Sequence, residues 1–578
     1  NIVHGENQVD DFALQPLLPY RLSRLGPGVA WGDVDGDNDL DLFMGQSRAS
    51  GSELFLKQKD GSFVKKEQKY FSDSQLVPFK DMGSLFLDAD SDGDLDLYIA
   101  SGGYDPSLLP LYLRDRLFLN QGKGNFVLGL PNTPDLRDAS GAVCAADFDR
   151  DGDLDLFVGG RLVPGKYPLT PKSRLLVNQD GVFSDQTEPL APRLLEAGLV
   201  NSAVWSDYDD DGWVDLLVAS EWGPIRVWKN ENGKLKETTK DLGLSNINGW
   251  WTSILPIDFD ADGDMDYAAG NLGYNTKYTA STHEPLVLHW GDMDGSGKPR
   301  LIEACYKSGK FLPIRGKSCS TNAIPSLAEK FKTFHAFASA ELAEIYQPKF
   351  LDQSLRIEIN ELASGIWVNE DGQFRFQKFP SLAQTSAVFG MTAADFNGDG
   401  WSDLCLAQNF FPMQPETGRV NGGLGMLLLG SEDGTFTPQL AGGSGLVITS
   451  DATSLSLMDL NSDHQPDLLV ASNNQPLQTF INQGRGASSL LVKVKGKRGN
   501  LRGAGSRLRV IRKNGTAEVI DLNLGIGYLT GNEPQAWVSH RMDNPVKHLV
   551  LTDSMGRQHK LSPSPMAKKV TFDLAIKK

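Results

Sequence analysis

Cysteine is nearly absent. Four in 578 residues cannot staple a chain of this length into shape. Histidine is almost as sparse: the eight present include none at ligand spacing with a cysteine or glutamate, so metal-dependent hydrolysis has little support. No stretch approaches the roughly 20 apolar residues that a membrane-spanning helix needs. Neither Gly-x-Ser-x-Gly nor His-Glu-x-x-His occurs. Gly316-Lys-Ser is no phosphate loop, because Phe311 stands where its first glycine belongs. Charged residues make up only 22%, whereas 60 glycines and 30 prolines suit a turn-rich all-β chain.

Aspartate is what the chain has. The pattern Asp-x-Asp-x-Asp-Gly-x-x-Asp, with local variation, starts at Asp33, Asp88, Asp147, Asp207, Asp258, Asp292, Asp395 and Asp459. Carboxylates crowded within nine residues repel one another unless a cation lies between them, and oxygen-only ligands favour calcium over zinc or copper. In the first copy Asp33, Asp35, Asp37 and Asp41 would supply side-chain oxygens and Asp39 a backbone carbonyl. By the same spacing the expected ligands are Asp88, Asp90, Asp92, Asp94 and Asp96; Asp147, Asp149, Asp151, Asp153 and Asp155; and Asp207, Asp209, Asp211, Trp213 and Asp215. They continue with Asp258, Asp260, Asp262, Asp264 and Asp266; Asp395, Asn397, Asp399, Trp401 and Asp403; and Asp459, Asn461, Asp463, Gln465 and Asp467. The sixth loop position calls for positive φ, which suits Gly93, Gly152, Gly212, Gly263 and Gly400, is tolerated by Asn38, and fits His464 less well. The role expected of calcium is structural. A catalytic site or organic cofactor is not expected.

The loops recur about every 60 residues, each entered by an apolar strand (Val29–Trp31, Ser84–Leu87, Ala142–Ala146) and left by another, the spacing of propeller repeats. Outer hairpins turn near Gly61, Gly124, Gly181, Gly233, Gly372 and Gly434. The last repeat, ending near Gly484, lacks an outer strand, and Phe12–Leu18 is expected to supply it, closing the ring. Six hairpins plus one closed blade predict a seven-bladed propeller; eight blades result if the Asp292 loop heads its own blade. That loop carries Ser296 and Arg300 at ligand positions and is placed in an insertion at about 285–360, where Ser326–Tyr346 shows helical spacing. Cys305 and Cys319 are near enough in sequence to pair across a loop, whereas Cys144 and Cys405 fit the core.

The net charge of −17 is unevenly spread: the eight loops hold 33 aspartates, and residues 487–578 hold 17 Lys/Arg against 6 Asp/Glu. Two domains are expected, 1–486 and 487–578, the second a small antiparallel β-sandwich whose strands Leu491–Lys495 and Arg507–Val510 alternate apolar and basic residues. Lys493, Lys495, Arg507, Arg509 and Arg512 would form a basic face, able to dock on the acidic repeats or on an anionic glycan. Nucleic acid is not expected as a partner, since stacking aromatics are not interleaved there.

The aspartate loops resemble those of the FG-GAP/VCBS repeat proteins, whose blades are similar to those of integrin α-subunits. Gly503-Ala-Gly-Ser-Arg-Leu-Arg-Val510 and Gly525-Ile-Gly-Tyr528 resemble the ASPIC/UnbV domain that follows such repeats in the cartilage acidic protein 1 family. Leu551-Thr-Asp-Ser-Met-Gly556 departs from it by lacking Trp-Pro before the late glycine. The resemblance implies a calcium-stabilised propeller that binds protein or glycan partners through the face opposite the loops. There Arg161, Trp222, Tyr274, Phe411 and Arg419 are the expected contacts. The alternatives are a polysaccharide lyase or hydrolase on the same scaffold, and a structural subunit of a bacterial envelope complex. Calcium loops, and a first residue that is not methionine, fit a processed protein that is secreted, periplasmic or at the cell surface.

Overall fold

A computed structural model describes residues 2–6, 9–47, 51–71, 79–104, 110–484, 489–541, 543–564 and 567–575. The expected domain junction at 486/487, and part of the recognition loop between Tyr104 and Arg116, lie outside them. The chain is all-β with about 11% helix, built from many mainly antiparallel sheets, none of them closed on itself.

Seven sheets share one plan. A buried first strand enters an aspartate loop, the second leaves it antiparallel to the first, and further strands follow outward. The first strands are Val29–Gly32, Lys80–Leu87, Ala139–Ala146, Leu199–Ser206, Ser253–Ile257, Val388–Ala394 and Ala452–Met458. Successive first strands lie against one another. The seventh sheet packs back on the first: Met458, Leu469 and Ala471 share a core with Val29, Trp31 and Leu42, and Trp31 Nε1 donates to Ser456 Oγ at 3.0 Å. These strands are buried along nearly their whole length rather than at alternate residues because both of their faces are covered by neighbouring sheets. All six expected hairpins are antiparallel pairs.

In the fifth sheet the chain leaves after Asp266–Gly270 and returns at Gly365–Glu370, which pairs beside it. The excursion carries a four-stranded sheet, with the Asp292 loop between Leu286–Asp292 and Pro299–Lys307, and five short helices. The helical periodicity at 326–346 resolves into three pieces, Ser326–Lys330, Phe334–Ser339 and Leu342–Ile345. Phe331 is extended, and Thr333 starts the next piece by accepting from Ala336 N with its side chain. Cys305 and Cys319 are free thiols, one in a buried strand and the other in a helix, so no bridge joins them.

The outer strand expected at Phe12–Leu18 does not form. Asp10 caps a helical turn, Asp11–Leu14, by accepting from Ala13 N, and Leu17 and Leu18 are buried in the largest apolar cluster. The apolar pattern there was too short to separate strand from packed turn. The seventh sheet keeps three strands. Its contact with the N-terminal segment comes from residues 2–3 instead: Val3 bridges Pro476, and Leu477 N donates to Ile2 O at 3.0 Å.

Residues 489–573 form two further sheets sharing one core, which includes Leu490, Val492, Leu508, Val510, Leu549 and Leu551. The five basic residues expected on one face separate, with Lys493 half-buried. Arg512 is buried against Glu518, Lys495 lies 3.8 Å from Asp573, and Arg507 and Arg509 turn toward the aspartate loops.

Candidate metal loops and the faces of the ring

Each of the seven repeat loops is organised by its last aspartate. Asp41, Asp96, Asp155, Asp215, Asp266, Asp403 and Asp467 are all buried. One oxygen of each accepts a backbone N–H from the third strand or its end, as Lys57 N to Asp41 at 2.9 Å and Asn178 N to Asp155 at 2.8 Å. In six of them the other oxygen accepts the N–H of the loop's second residue, for example Ala89 N to Asp96 at 3.0 Å. The first aspartate faces the N–H groups of positions four to six, so the turn folds around carboxylates. The sixth position adopts positive φ throughout, His464 (65°) and Asn38 (72°) included. The fourth does so as well, at Ser91, Arg150, Asp210, Ala261 and Ser462, a requirement that the sequence pattern conceals because no glycine marks it there.

Burial, reinforced by neighbouring carboxylates, pushes Asp41 and Asp403 up to about 7, Asp96 to about 8 and Asp266 to about 9. Burial likewise holds Asp155, Asp215 and Asp258 well above the usual carboxylate range. Five carboxylate triplets have ligand atoms within 4.8 Å of one another: Asp33/35/37, Asp88/90/96, Asp147/149/155, Asp207/209/215 and Asp258/260/262. Within them, Asp155 Oδ2, Asp209 Oδ1, Asp258 Oδ1 and Asp260 Oδ1 are buried without a hydrogen-bond partner. A hard divalent cation fits that donor set.

Individual copies differ. Asn397 and Asn461 donate their amide N–H groups to Asp399 and Asp463, at 2.8 and 2.9 Å. In the fourth loop the Lys229 ammonium bridges Asp209 and Asp211. Trp213 and Trp401 carry guanidinium groups over their rings, Arg150 at 3.7 Å and Arg541 at 3.9 Å. At Asp292 both oxygens accept backbone N–H groups, as at Asp33; these, Gly297 N–H foremost, hold the carboxyl below its usual range.

Sequence reasoning missed an asparagine. Asn120, Asn178, Asn230 and Asn369, at the ends of third strands, each donate to the carbonyl of the second loop residue of the preceding sheet: Val34, Ala89, Phe148 and Tyr208. Asn482 clasps Phe396 O in the same way. Their Oδ1 atoms accept from hairpin glycines, as Gly233 N to Asn230 at 2.8 Å. The recurrence of Asn two or three residues before the turn glycine was the available signal.

The C-terminal sheets lie on the loop side and touch the first aspartates. Gly499 N donates to Asp88 Oδ2 and Val519 N to Asp258 Oδ2, both at 2.9 Å. Ser554 Oγ donates to Asp147 at 3.2 Å, and Arg502 lies 3.4 Å from Asp33. From there residues 524–531 enter the ring. Ala145 N donates to Leu524 O, Ser202 Oγ to Gly527 O, and Val29 N to Leu529 O. Thr530 and Gly531 pair with Val29 and Ala30, Ser454 Oγ meets Thr530 Oγ1, and Tyr528 packs edge-on against Phe389. The segment therefore touches first strands of five sheets. Its Tyr528 hydroxyl donates to Leu25 O, on the segment that covers the other side.

On that side residues 11–25 cross the ring. Tyr20 OH donates to Glu221 and accepts from Arg161; Arg161 and Glu221 pair at 2.6 Å, and Trp222 Nε1 donates to Tyr167 OH. Two of the five expected ligand contacts, Arg161 and Trp222, are thus buried in this network, at 3% and 7% exposure. Tyr274 is 49% exposed, its hydroxyl accepting from Lys378 and donating to Glu361. Phe411 and Arg419 lie together, the guanidinium 5.0 Å over the ring, beside a cleft of about 490 Å³.

Residues 33–99, 88–158 and 207–269 match the family profile described as FG-GAP-like repeat. The chain is 23% identical over 230 residues to the T-cell immunomodulatory protein of Rattus norvegicus. That match covers 35% of this chain, and it spans only 37% of the relative's length. Among solved structures, the biofilm matrix protein Bap1 of V. cholerae is 11% identical, covering 92% of this chain and 98% of that one, with a TM-score of 0.32. The exotype rhamnogalacturonan lyase YesX is 13% identical, covering 84% and 75%, with a TM-score of 0.38. Likenesses at that level carry nothing about function. The chain carries FG-GAP-like repeats.

Proposed function

We propose that this chain is a non-catalytic binding scaffold: a seven-bladed β-propeller, residues 1–486, with a β-sandwich of the ASPIC/UnbV kind, residues 487–578, docked on its loop face. Calcium in the blade loops is structural. The acidic side chains named for each loop would hold it, with Asp39, Asp94, Asp153, Trp213, Asp264, Trp401 and Gln465 contributing backbone carbonyls. Bound calcium keeps the buried carboxylates ionised and cross-links the first two strands of each blade. The Asp292 loop, which carries Ser296 and Arg300 at ligand positions, stays outside this set.

The observation that carries the binding reading is the filled ring axis. Residues 524–531 enter from one side and residues 11–25 cover the other, meeting at Tyr528 and Leu25. Beside these segments only a small cavity of about 130 Å³ is left, among Leu255, Thr392, Leu455 and Ile526, whereas the rim loops, with Tyr274, Phe411 and Arg419, remain reachable. A protein or anionic glycan partner outside the cytosol, where calcium is plentiful, suits that surface. Glycan arrays and pull-downs with calcium present should return a ligand. Turnover of an acidic polysaccharide by the purified chain would replace this reading with a lyase or hydrolase.

A further inference from the structure

We propose that the cleft bounded by residues 21–24, 411–419 and 473–475 binds an acidic saccharide through the carboxylate of a uronate unit. This rests on the binding reading above and gives it a place and a ligand class.

Three guanidinium groups, Arg21, Arg24 and Arg419, line the cleft. Among the described residues, none of them has an acidic side chain within ion-pair distance. Elsewhere in this chain the buried arginines are compensated: Arg116, Arg161, Arg315 and Arg512 each have a carboxylate at 2.5–2.6 Å. Three guanidinium groups without a direct ion pair around one concavity, with only the buried carboxyls of Asp11 and Asp451 near two of them, mark a site whose counter-charge comes from outside. The cleft's own acid, Asp451, cannot serve. It is 3% exposed, it accepts from Phe411 N and Asn473 Nδ2 at 3.3 Å, and burial pushes it up to about 7.

The remaining lining selects the ligand class. The surrounding main chain is occupied by itself: Arg21 N donates to Pro412 O, Gln414 N to Pro19 O, and Phe410 and Val420 bond reciprocally. No strand edge is left there for a peptide to extend. What remains are forked guanidinium donors, suited to a planar carboxylate, and the half-buried ring of Phe411. Asn473 Oδ1 is buried without a partner and can accept from a sugar hydroxyl. About 490 Å³ exceeds a single small anion and lies in the usual range of ligand pockets.

The test is calorimetric titration of the full, calcium-loaded chain with a glucuronate-containing tetrasaccharide and with its carboxyl methyl ester. The acid should bind, its affinity should fall as salt is raised, and the ester should bind at least tenfold more weakly. Arg24→Gln and Arg419→Gln should each weaken the acid roughly tenfold, the scale of one charge-assisted hydrogen bond, with melting temperature unchanged. Equal binding of acid and ester, or of wild type and both variants, overturns the cleft. If the tetrasaccharide fails while another array glycan or a protein binds equally to wild type and variants, the scaffold reading stands and the cleft falls. If nothing binds, both fall.

Discussion

Removing calcium is the perturbation with the broadest reach. Five loops bring three carboxylates within 4.8 Å of one another, and four buried oxygens in them lack any partner. Extracellular calcium modules bind at roughly 10⁻⁴–10⁻³ M. At about 2 mM free ion, mass action then stabilises the folded state by about 0.6–1.8 kcal/mol per loop, or about 3–9 kcal/mol for five. Divided by an unfolding entropy of roughly 1.2 kcal/mol/K for a chain of this length, that is a fall in melting temperature of about 3–7 °C on chelation. Differential scanning calorimetry in calcium and then in excess chelator measures it. A second readout is local. Gly499 and Val519 amides donate to the first aspartates of two loops, so their hydrogen-exchange protection should drop on chelation. An unchanged melting curve, or full restoration by magnesium at equal concentration, refutes the structural-calcium argument.

Other outcomes follow from single residues. Asp155→Ala should destabilise the chain more than Asp292→Ala, since Asp155 is buried at a carboxylate triplet and Asp292 is half-buried in a loop without one among the described residues; equal shifts in chemical denaturation would restore Asp292 as a full site. Asn230→Ala strips partners from Phe148 O, Val214 O and Gly233 N and should cost about 2–4 kcal/mol in the same assay; a cost below about 1 kcal/mol would remove the clasp from the argument. Gly525 has φ +86° and lies where an added Cβ would sit 2.4 Å from Val143 O, so Gly525→Ala should loosen the C-terminal sheets and expose them to limited proteolysis. Burial pushes His4 down to about 4, against the pull of Glu6. Its folded pKa lies below the unfolded value, so its contribution is present above about pH 6.5 and is lost as pH falls toward 4, by at most about 3 kcal/mol. The difference between wild type and His4→Gln across that window isolates it, and parallel pH curves would contradict it.

What could be read from the residues was local in sequence. The aspartate loops, their flanking strands and the six hairpins lie within tens of residues of one another, and alternation, turn glycines and carboxylate spacing record them directly. The N-terminal segment could not be placed that way. Phe12-Ala-Leu-Gln-Pro16 offers three apolar side chains and a proline, equally compatible with an outer strand and with a capped turn, and Asp10 and Ser23 decide between them. The clasping asparagines were visible as letters, but their role depends on a carbonyl in the preceding sheet, 82–161 residues away for Asn230, Asn120, Asn178 and Asn369. Arg161 and Trp222 were sensible interface residues by type. What buried Arg161 was Tyr20, from a segment expected in the outer strand, and Trp222 is covered by Tyr167 and Trp250.

The basic tail shows how charge bookkeeping finds a contact but not its form. An excess of Lys/Arg after residue 487 against aspartate-rich repeats suggests docking, and Arg502, Arg507 and Arg509 do lie near Asp33, Asp207 and Asp210. The tighter links, however, are neutral: the backbone N–H groups of Gly499 and Val519, and the residues 524–531 that enter the ring. The solvent-open pair Arg509–Asp210 contributes at most about 1 kcal/mol and weakens with salt, whereas the buried Arg507 contact, buried N–H to carboxylate bonds and apolar packing are screened far less. High salt alone should therefore leave the C-terminal sheets in place, and salt combined with chelation should release them. Release by salt in the presence of calcium would mean that the ion pairs, and not the loops' first aspartates, hold the tail.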